Sequence, residues 1–283
     1  MTTLKGHTVL LTGATSGIGL GIAERIAAKE LETLVLVSRT KSTLEALAQK
    51  LEADFPTLKC VTIPQDLSKP GGAQAVYDSV RSQGLDISIL IPNAGVARAG
   101  RFEDHEVDAY EKLLELNVKS TVTLTRLFIP SMLDKGRGGV LFVSSVAGYA
   151  PVPLFTVYAA SKAMVTSFAE ALHEEYRSRG LTILCVTPGG TTSKNFEKEA
   201  GMKVKDVSIA GSIRYPQEDC SYVGRCAVDQ LESAMSAPWW RRLSCTAFTS
   251  TFNWAVLLSR FIMPRWALAR IQMESIRTSV ASS

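Results

Sequence analysis

The stretch HTVLLTGATSGIGLGIAERIAAK, residues 7–29, joins a short apolar run to an amphipathic run through a glycine-rich turn. Residues 7–12 are apolar and β-branched, as expected for a buried strand. Residues 17–29 carry isoleucines four positions apart, which places them on one face of a helix. Strand, turn and helix in this order form the unit from which parallel sheets with helical connections are built.

The same unit recurs along the chain. We predict five further strands, which span residues 33–38, 59–64, 87–92, 139–145 and 181–187. Helical patterns lie between them, the longest of them running over 106–132, and a further helix is predicted over 218–235. Because the strands are almost wholly apolar, helices must cover both of their faces. The sequence therefore predicts an α/β fold, a Rossmann-like doubly wound parallel sheet of six or seven strands with helices on both faces.

Composition excludes several kinds of partner. The 283 residues carry a net charge of +4 and no block of Lys or Arg, so we expect no nucleic-acid partner. The three histidines are far apart and the five cysteines show no C-x-x-C spacing, so we assign no metal site. Scattered cysteines are typical of reduced thiols, and the N-terminal stretch is too poor in apolar residues for a signal peptide. We therefore expect a cytoplasmic protein.

The glycine turn itself indicates a ligand. Gly13, Gly17 and Gly19 allow a tight turn and let a pyrophosphate approach the backbone at the N-terminus of the helix. In open parallel sheets ligands bind beyond the carboxyl ends of the strands. The residues that follow the other predicted strands are therefore expected to line the same crevice.

The residues after the second and third strands bear on the kind of nucleotide. The second strand ends in VSRTK, which has no carboxylate for a ribose hydroxyl but offers Arg39, whose guanidinium can pair with a 2′-phosphate. This favours NADP over NAD, although Arg39 is alternatively a solvated loop residue. After the third strand, Asp66 is a candidate acceptor for the adenine amino group or, alternatively, a helix cap.

A tyrosine and a lysine four residues apart open a later helix, in VYAASKAM, residues 157–164. The pair is either an ordinary exposed polar face or a phenol whose pKa is lowered by an ammonium group one helical turn away. A free tyrosine, with a pKa of about 10, is a sluggish acid near neutral pH. The second interpretation therefore makes Tyr158 a general acid or base.

Five motifs point to one known family: the T-G-x-x-x-G-x-G turn, NAG at 93–95, Asn117 in ELNV, the Y-A-A-S-K run and PG at 188–189. Over about residues 5–235 the chain resembles the short-chain dehydrogenase/reductase family. The resemblance implies an oxidoreductase that moves a hydride between NADP(H) and a carbonyl or alcohol. The catalytic residues it implies are Asn117, Ser145, Tyr158 and Lys162. The cofactor-binding residues predicted from the turns and the resemblance are Gly13, Ser16, Gly17, Ile18, Gly19, Ser38, Arg39, Thr40, Asp66, Leu67, Asn93, Ala94, Gly95, Tyr158, Lys162, Pro188, Gly189, Thr191 and Ser193.

Each implied catalytic residue has a physical role. Reduction of a ketone needs a hydride and a proton, and a nicotinamide cofactor brings only the hydride. Tyr158 would supply the proton, Lys162 would stabilise the phenolate and hold the nicotinamide ribose, and Ser145 would hydrogen-bond the substrate oxygen. Asn117, a poor helix former in the middle of a predicted helix, would connect Lys162 to solvent through water.

The chain departs from the family pattern at two motifs. Pro92 stands where the family has a first asparagine before AG, so a backbone donor is lost. After the sixth strand the chain reads PGGTTS, which puts Thr191 and Ser193 in the family's aliphatic and threonine places. Two other functions stay open: a catalytically silent NADP-binding protein with a scaffolding or cyclase-like role, and a membrane-surface partner protein.

The last part of the chain differs most. We predict a domain over residues 1–237 and, over 238–283, a helical extension packed on it without a clear seventh strand. We expect this extension to cover the mouth of the substrate site or a subunit interface. It holds all four tryptophans, six arginines and one acidic residue. Because this composition is aromatic and basic, the alternative is peripheral contact with an intracellular membrane. We expect a homodimer or homotetramer. The substrate is expected to be a small-molecule carbonyl or alcohol, apolar and bulky, such as a ketone, sterol, polyketide or acyl chain. It is expected to contact a flap over 190–216 and the residues Ala147, Tyr149, Pro151 and Phe155.

Overall fold

The structure is a computed structural model that describes residues 4–201, 208–209, 213–214, 217–238 and 246–248. The strands are β1 (Thr8–Thr12), β2 (Thr33–Ser38), β3 (Lys59–Pro64), β4 (Ile89–Ile91), β5 (Gly138–Val143), β6 (Leu181–Thr187), β7 (Gly190–Thr192), β8 (Ser208–Ile209), β9 (Ile213–Arg214), β10 (Gln217–Asp219) and β11 (Thr246–Phe248). The α-helices are α1 (Gly17–Ala27), α2 (Lys41–Asp54), α3 (Gly72–Ser82), α4 (Val107–Leu114), α5 (Ser120–Asp134), α6 (Thr156–Tyr176), α7 (Lys194–Ala200) and α8 (Cys220–Ser236).

Seven strands form one parallel sheet in the order β11-β6-β5-β4-β1-β2-β3. The chain moves outward from β1 to β3, then crosses to β4 on the other side of β1 and moves outward again. The carboxyl ends of β1 and β4 therefore flank the point at which the winding reverses, where open sheets of this kind bind ligands. The predicted doubly wound parallel sheet is confirmed.

Successive side chains of the strands point to opposite faces of the sheet, and each face packs into its own hydrophobic core. One core packs sheet residues such as Leu11 and Leu36 against α1, α2 and α8. The other packs sheet residues such as Leu10 and Val35 against α3, α5 and α6. Because both faces are covered, the strands have no wet side, which explains their near-continuous apolar sequence.

The predicted strand bounds agree with the structure except at three strands. β1 begins at Thr8, one residue after the predicted start. β4 is shorter than the predicted 87–92 and ends before Pro92, which has no N–H to donate to a neighbouring strand. β5 begins at Gly138 and ends at Val143, two residues before the predicted end. The expectation of no clear seventh strand was wrong, because residues 246–248 pair in parallel with residues 185–187 of β6.

The long helix predicted over 106–132 is interrupted. Residues Glu115–Lys119 form a π-helical turn between α4 and α5, and Asn117 lies at its centre. Such turns insert one extra residue into a helix and are frequent at functional sites. The sequence signal for the interruption was the poor helix former at this position.

Helices α1 and α8 pack with their backbones in contact. A Cβ built on Gly224 would collide with the backbone of Gly21 and lie 2.6 Å from the amide nitrogen of Ile22. The pair is reinforced at the rim, where Arg25 lies 2.7 Å and Lys29 lies 3.3 Å from a carboxylate oxygen of Asp229. This contact holds the start of α8 against the glycine turn.

The region after β6 carries the predicted flap. It forms β7, α7 and two small sheets, in which β10 pairs with β7 and β9 with β8. The remainder of the helical extension predicted over 238–283, and with it the membrane alternative, lies outside the described residues. Within the described ranges, no helix is both long enough and apolar enough to cross a bilayer.

Replacing Gly224 with Ala tests the backbone contact between α1 and α8. Alanine is the better helix former by about 1 kcal/mol, but its methyl group has no room. We expect a net loss of about 1–3 kcal/mol in the free energy of unfolding, measured by urea denaturation. Arg225→Ala, at the next and exposed position, should change stability by less than about 0.5 kcal/mol. A Gly224→Ala protein as stable as the wild type would contradict this packing.

Candidate active site

The turn between β1 and α1 requires its three glycines. Gly13 and Gly17 have φ angles of 68° and 56°, in the left-handed region. A Cβ built on Gly19 would collide with the carbonyl oxygen of Gly13 and lie 2.5 Å from Nδ2 of Asn93. Ser16 makes no side-chain capping hydrogen bond, so the first amides of α1 stay available to an anion.

The end of β4 is tied to this turn. Oγ1 of Thr12 accepts hydrogen bonds of 3.0 Å from the amides of Asn93 and Ala94. In return, Nδ2 of Asn93 donates to the carbonyl oxygens of Thr12, at 2.9 Å, and Gly13, at 3.3 Å. The side-chain amide of Asn93 thus joins the carboxyl ends of β1 and β4. The next two residues, Ala94 and Gly95, line the cavity.

Asn117 is the buried side chain of the π-helical turn. Its Oδ1 accepts from the amide of Val96, and its Nδ2 donates to the carbonyl oxygen of the same residue, both at 2.9 Å. Nδ2 also lies 3.1 Å from Oγ of Ser161, on the helix that carries Tyr158 and Lys162. Asn117 therefore connects three elements around the site but is not on the cavity wall itself.

Ser145, Tyr158 and Lys162 meet at the end of β5. The hydroxyl of Ser145 is close enough to the phenol of Tyr158 to act on its pKa as a hydrogen-bond partner. Nζ of Lys162 lies 5.9 Å from the centre of the Tyr158 ring and donates a 2.9 Å hydrogen bond to the carbonyl oxygen of Val143. The rings of Phe155 and Phe196 pack edge-on to Tyr158, with centroids at 6.2 and 5.9 Å.

Burial decides the ionisation of this pair. It raises the pKa of Tyr158 to about 12, against a smaller opposite effect of the Ser145 hydrogen bond. Burial likewise lowers the pKa of Lys162 to about 8. The lowered pKa that the sequence predicted for Tyr158 is therefore not found, because desolvation outweighs the effect of Ser145 and the ammonium group of Lys162 is directed to a backbone carbonyl.

A second group of charged residues lies at the ends of β2 and β3. Arg39 is 64% exposed, and one of its guanidinium nitrogens lies 3.4 Å from Oε1 of Glu199 on α7. Asp66 accepts hydrogen bonds from the amide and the hydroxyl of Ser68, at 3.0 and 2.7 Å. Burial acts to raise the pKa of Asp66, but these bonds and the charge of Arg39 bring it below its usual value.

The end of β6 is held by the flap. Gly189 donates its amide to Oε2 of the buried Glu218 at 3.3 Å, and Thr191 donates its hydroxyl to the carbonyl oxygen of Gly189 at 3.3 Å. Ser193 caps α7, accepting from the amide of Phe196 at 3.5 Å. The polar residues of PGGTTS thus mainly organise the flap backbone.

These residues surround one cavity of about 510 Å³. The predicted cofactor-binding residues all line it, as do Ser145, Ala147 and Phe155. Tyr149 and Pro151, predicted substrate contacts, are not part of its wall. The apolar residues of its wall include Val96, Val146, Ala147, Val152, Phe155 and Phe196.

Sequence reasoning missed several residues of the wall. Thr15, Gln65 and Ser68 adjoin predicted positions, so their place in the turns could have indicated them. Arg98 follows NAG closely, whereas Phe196 and Glu199 lie in the flap, where the sequence has no periodic pattern. Among the residues that the structure describes, no three His, Cys, Asp or Glu side chains converge as metal ligands.

Comparisons with known proteins agree with this architecture. A family model for short chain dehydrogenases matches residues 7–203. A very-long-chain 3-oxoacyl-CoA reductase-like protein of Arabidopsis thaliana is 32% identical over 78% of this chain and 72% of its own length. The very-long-chain 3-oxoacyl-CoA reductase of Rattus norvegicus is 35% identical over 65% of this chain, and the match spans 59% of the rat protein.

A solved structure shares the fold over almost the full length. The short-chain dehydrogenase from Sphingobium yanoikuyae in complex with NADPH superposes with a TM-score of 0.73 at 26% identity. The match covers 98% of this chain and 96% of that one.

Lys162→Met tests the buried ammonium group without any ligand. A pKa of about 8 in the folded protein, below the ordinary 10.5, means that the unfolded chain binds more protons between these values. The charged lysine then costs stability below pH 8, and that cost is relieved as the pH rises. Relative to Lys162→Met, the wild type should gain about 2 kcal/mol in unfolding free energy between pH 8 and 10.

The measurement is urea denaturation across this pH range, in which Tyr158 contributes equally to both proteins. Lys119→Met, which removes an exposed lysine, is the control and should follow the wild type. A constant difference between wild type and Lys162→Met from pH 7 to 10 would contradict the lowered pKa.

Proposed function

The chain belongs to the short-chain dehydrogenase family, and on that premise we propose that it is an NADPH-dependent oxidoreductase that reduces the keto group of an apolar substrate, with a 3-oxoacyl thioester as the preferred class. The observation that carries the proposal is the convergence of Ser145, Tyr158 and Lys162 on the same cavity as the glycine turn. The chain spans about three fifths of the length of the rat relative, so the activity of the whole protein is part of the proposal.

The residues present fit a dinucleotide. Gly13, Gly17 and Gly19 line the cavity and bring backbone to its wall, and the uncapped amides of α1 lie at the same place. Ser38, Arg39 and Thr40 would hold the adenosine end. Arg39 gives the preference for a 2′-phosphate, because the described residues after β2 include no carboxylate to accept from a ribose hydroxyl.

The apolar portion of the cavity supports an acyl substrate. It lies beside Tyr158 and is closed by aromatic rings on two sides, those of Phe155 and Phe196. Such a wall excludes water and buries methylene groups, while Ser145 and Tyr158 are the polar groups that would orient the keto oxygen. The two curated relatives are named for 3-oxoacyl-CoA reduction, which favours this class over other apolar ketones.

When bound, NADPH supplies the hydride. Tyr158, whose raised pKa keeps it protonated at neutral pH, donates its proton to the keto oxygen. Ser145 donates a hydrogen bond to the same oxygen, where negative charge develops. The protonated state of Tyr158 suits reduction, since oxidation of an alcohol would need the phenolate at the outset.

Lys162 acts on the proton and on the ligand. Its ammonium group lies on one side of the Tyr158 ring and would stabilise the phenolate left after proton donation. It would also hold the nicotinamide ribose, since its Nζ lies on the cavity wall beside Gly95, where a Cβ would be 3.5 Å away. Asn117 shapes this wall, fixing Val96 and Ser161, and we place its water-mediated path to solvent on the same side.

We propose that residues 246–248, the described part of the extension beyond residue 238, border the mouth of the cavity. Residues 246–248 lie beside the end of β6, from which Pro188 and Gly189 project into the cavity wall. We propose a cytoplasmic homodimer or homotetramer with a domain boundary near residue 237. Peripheral membrane contact by the basic extension is the second arrangement.

Tyr158→Phe tests the chemistry. Turnover of a 3-oxoacyl-CoA, followed by loss of NADPH absorbance, should fall by about 100-fold or more, because the variant has no proton to donate. The dissociation constant for NADPH should change by less than about threefold. Tyr110→Phe, the same change at a surface tyrosine, should keep wild-type activity. A Tyr158→Phe enzyme with a tenth of the wild-type turnover would overturn the assignment of Tyr158, whereas a wild type that binds NADPH without turnover would favour the silent NADP-binding alternative.

Arg39→Asp tests the cofactor preference. The dissociation constant for NADPH should rise about tenfold or more, since a charge-assisted hydrogen bond worth about 1.5–3 kcal/mol is lost, while that for NADH should not rise. Nicotinamide fluorescence follows both titrations. Arg81→Asp, the same charge reversal at an exposed site on α3 outside the cavity wall, is the control. Equal weakening of both cofactors by Arg39→Asp would argue against a 2′-phosphate site.

A further inference from the structure

Helix α7 presents one face to the cavity. Ser193, Phe196 and Glu199 are three residues apart and each meets a different part of the site. A Cβ built on Gly17 would lie 3.1 Å from the Ser193 hydroxyl, and the Phe196 ring packs on Tyr158. Glu199 extends the same face to the end of β2. The helix thus covers the cavity from the glycine turn to the proposed 2′-phosphate site.

Glu199 is shared between two arginines from different loops. Its Oε1 lies 3.4 Å from Arg39, and its Oε2 lies 3.2 Å from the nearest guanidinium nitrogen of Arg98, the loop residue after β4. Arg98 also donates to the backbone carbonyl of Glu199, and Ala99 donates its amide to Ala200 at 2.9 Å. Arg98 therefore anchors the end of α7, whereas the contact with Arg39 is the long, exposed half of the bridge.

Arg39 faces two carboxylates, but only one of them pairs with it. Asp66 is engaged by the amide and hydroxyl of Ser68, and it makes no ion pair with Arg39 among the described contacts. The carboxylate of Glu199 stands within contact distance of the guanidinium that a 2′-phosphate would need. Phosphate and carboxylate bind a guanidinium by the same hydrogen-bonding geometry.

We propose that Glu199 is a specificity-determining residue for the cofactor: its carboxylate competes with the 2′-phosphate of NADPH for Arg39, and so reduces the preference for NADPH over NADH. This inference rests on the proposed function, which places the phosphate at Arg39. A 2′-phosphate displaces the Glu199 carboxylate from Arg39, and Arg98 keeps α7 in place. A cofactor without this phosphate leaves the bridge intact.

The test measures binding of the adenosine half alone. Calorimetric titrations with 2′,5′-ADP and with 5′-ADP are compared for the wild type and Glu199→Gln, which keeps the size of the side chain and its capacity to accept from Arg98. We expect Glu199→Gln to bind 2′,5′-ADP about two- to fivefold more tightly, the range for one exposed ion pair, and 5′-ADP equally. The gain should shrink at high salt and in an Arg39→Met background.

Glu197→Gln is the matched control, because it removes the same charge from the same helix at a position outside the cavity wall. A similar gain in Glu197→Gln would mean a general charge effect and would overturn the proposal. Unchanged binding of 2′,5′-ADP by Glu199→Gln would also overturn it. If the wild type binds 2′,5′-ADP no more tightly than 5′-ADP, the proposed NADPH preference fails as well, so the two failures are distinguishable.

Discussion

The structure depends on one close approach of backbone, where the turn after β1 passes against the end of β4. A side chain at Gly19 would collide with Gly13 and Asn93, and the amide of Asn93 fills the space that is left. This contact fixes the two strand ends that flank the reversal of the winding. This contact therefore positions one side of the cavity, which comprises the glycine turn, the start of α1 and the loop that leads to Asn117.

The cavity walls place ionisable groups where burial decides their charge. Desolvation raises the pKa of the Tyr158 phenol and lowers that of the Lys162 ammonium, so both groups favour their neutral forms. At the other end, Arg39 stays exposed and accessible to a charged ligand. Helix α7 passes both groups: its Phe196 packs on the Tyr158 phenol, and its Glu199 contacts Arg39.

Much of this arrangement follows from local pattern. Apolar runs and helical spacing were enough to predict β1 to β6, and glycine and polar residues after each strand predicted most of the cavity wall. Features that depend on contacts between residues far apart in the sequence were missed. The strand at 246–248 depends on pairing with β6, which is remote in sequence, and the roles of Phe196 and Glu199 depend on how α7 folds back over the sheet. The π-helical turn had a signal only in Asn117, and the direction of the pKa shift of Tyr158 depends on burial in three dimensions.

The central claim is that the cavity holds a nicotinamide dinucleotide with a 2′-phosphate. Titration of the wild-type protein with NADPH and with NADH, followed by nicotinamide fluorescence, tests it most directly. We expect saturable binding of both cofactors, with NADPH bound about tenfold or more tightly than NADH because of Arg39. Failure of both cofactors to bind would leave the fold intact but contradict the oxidoreductase function.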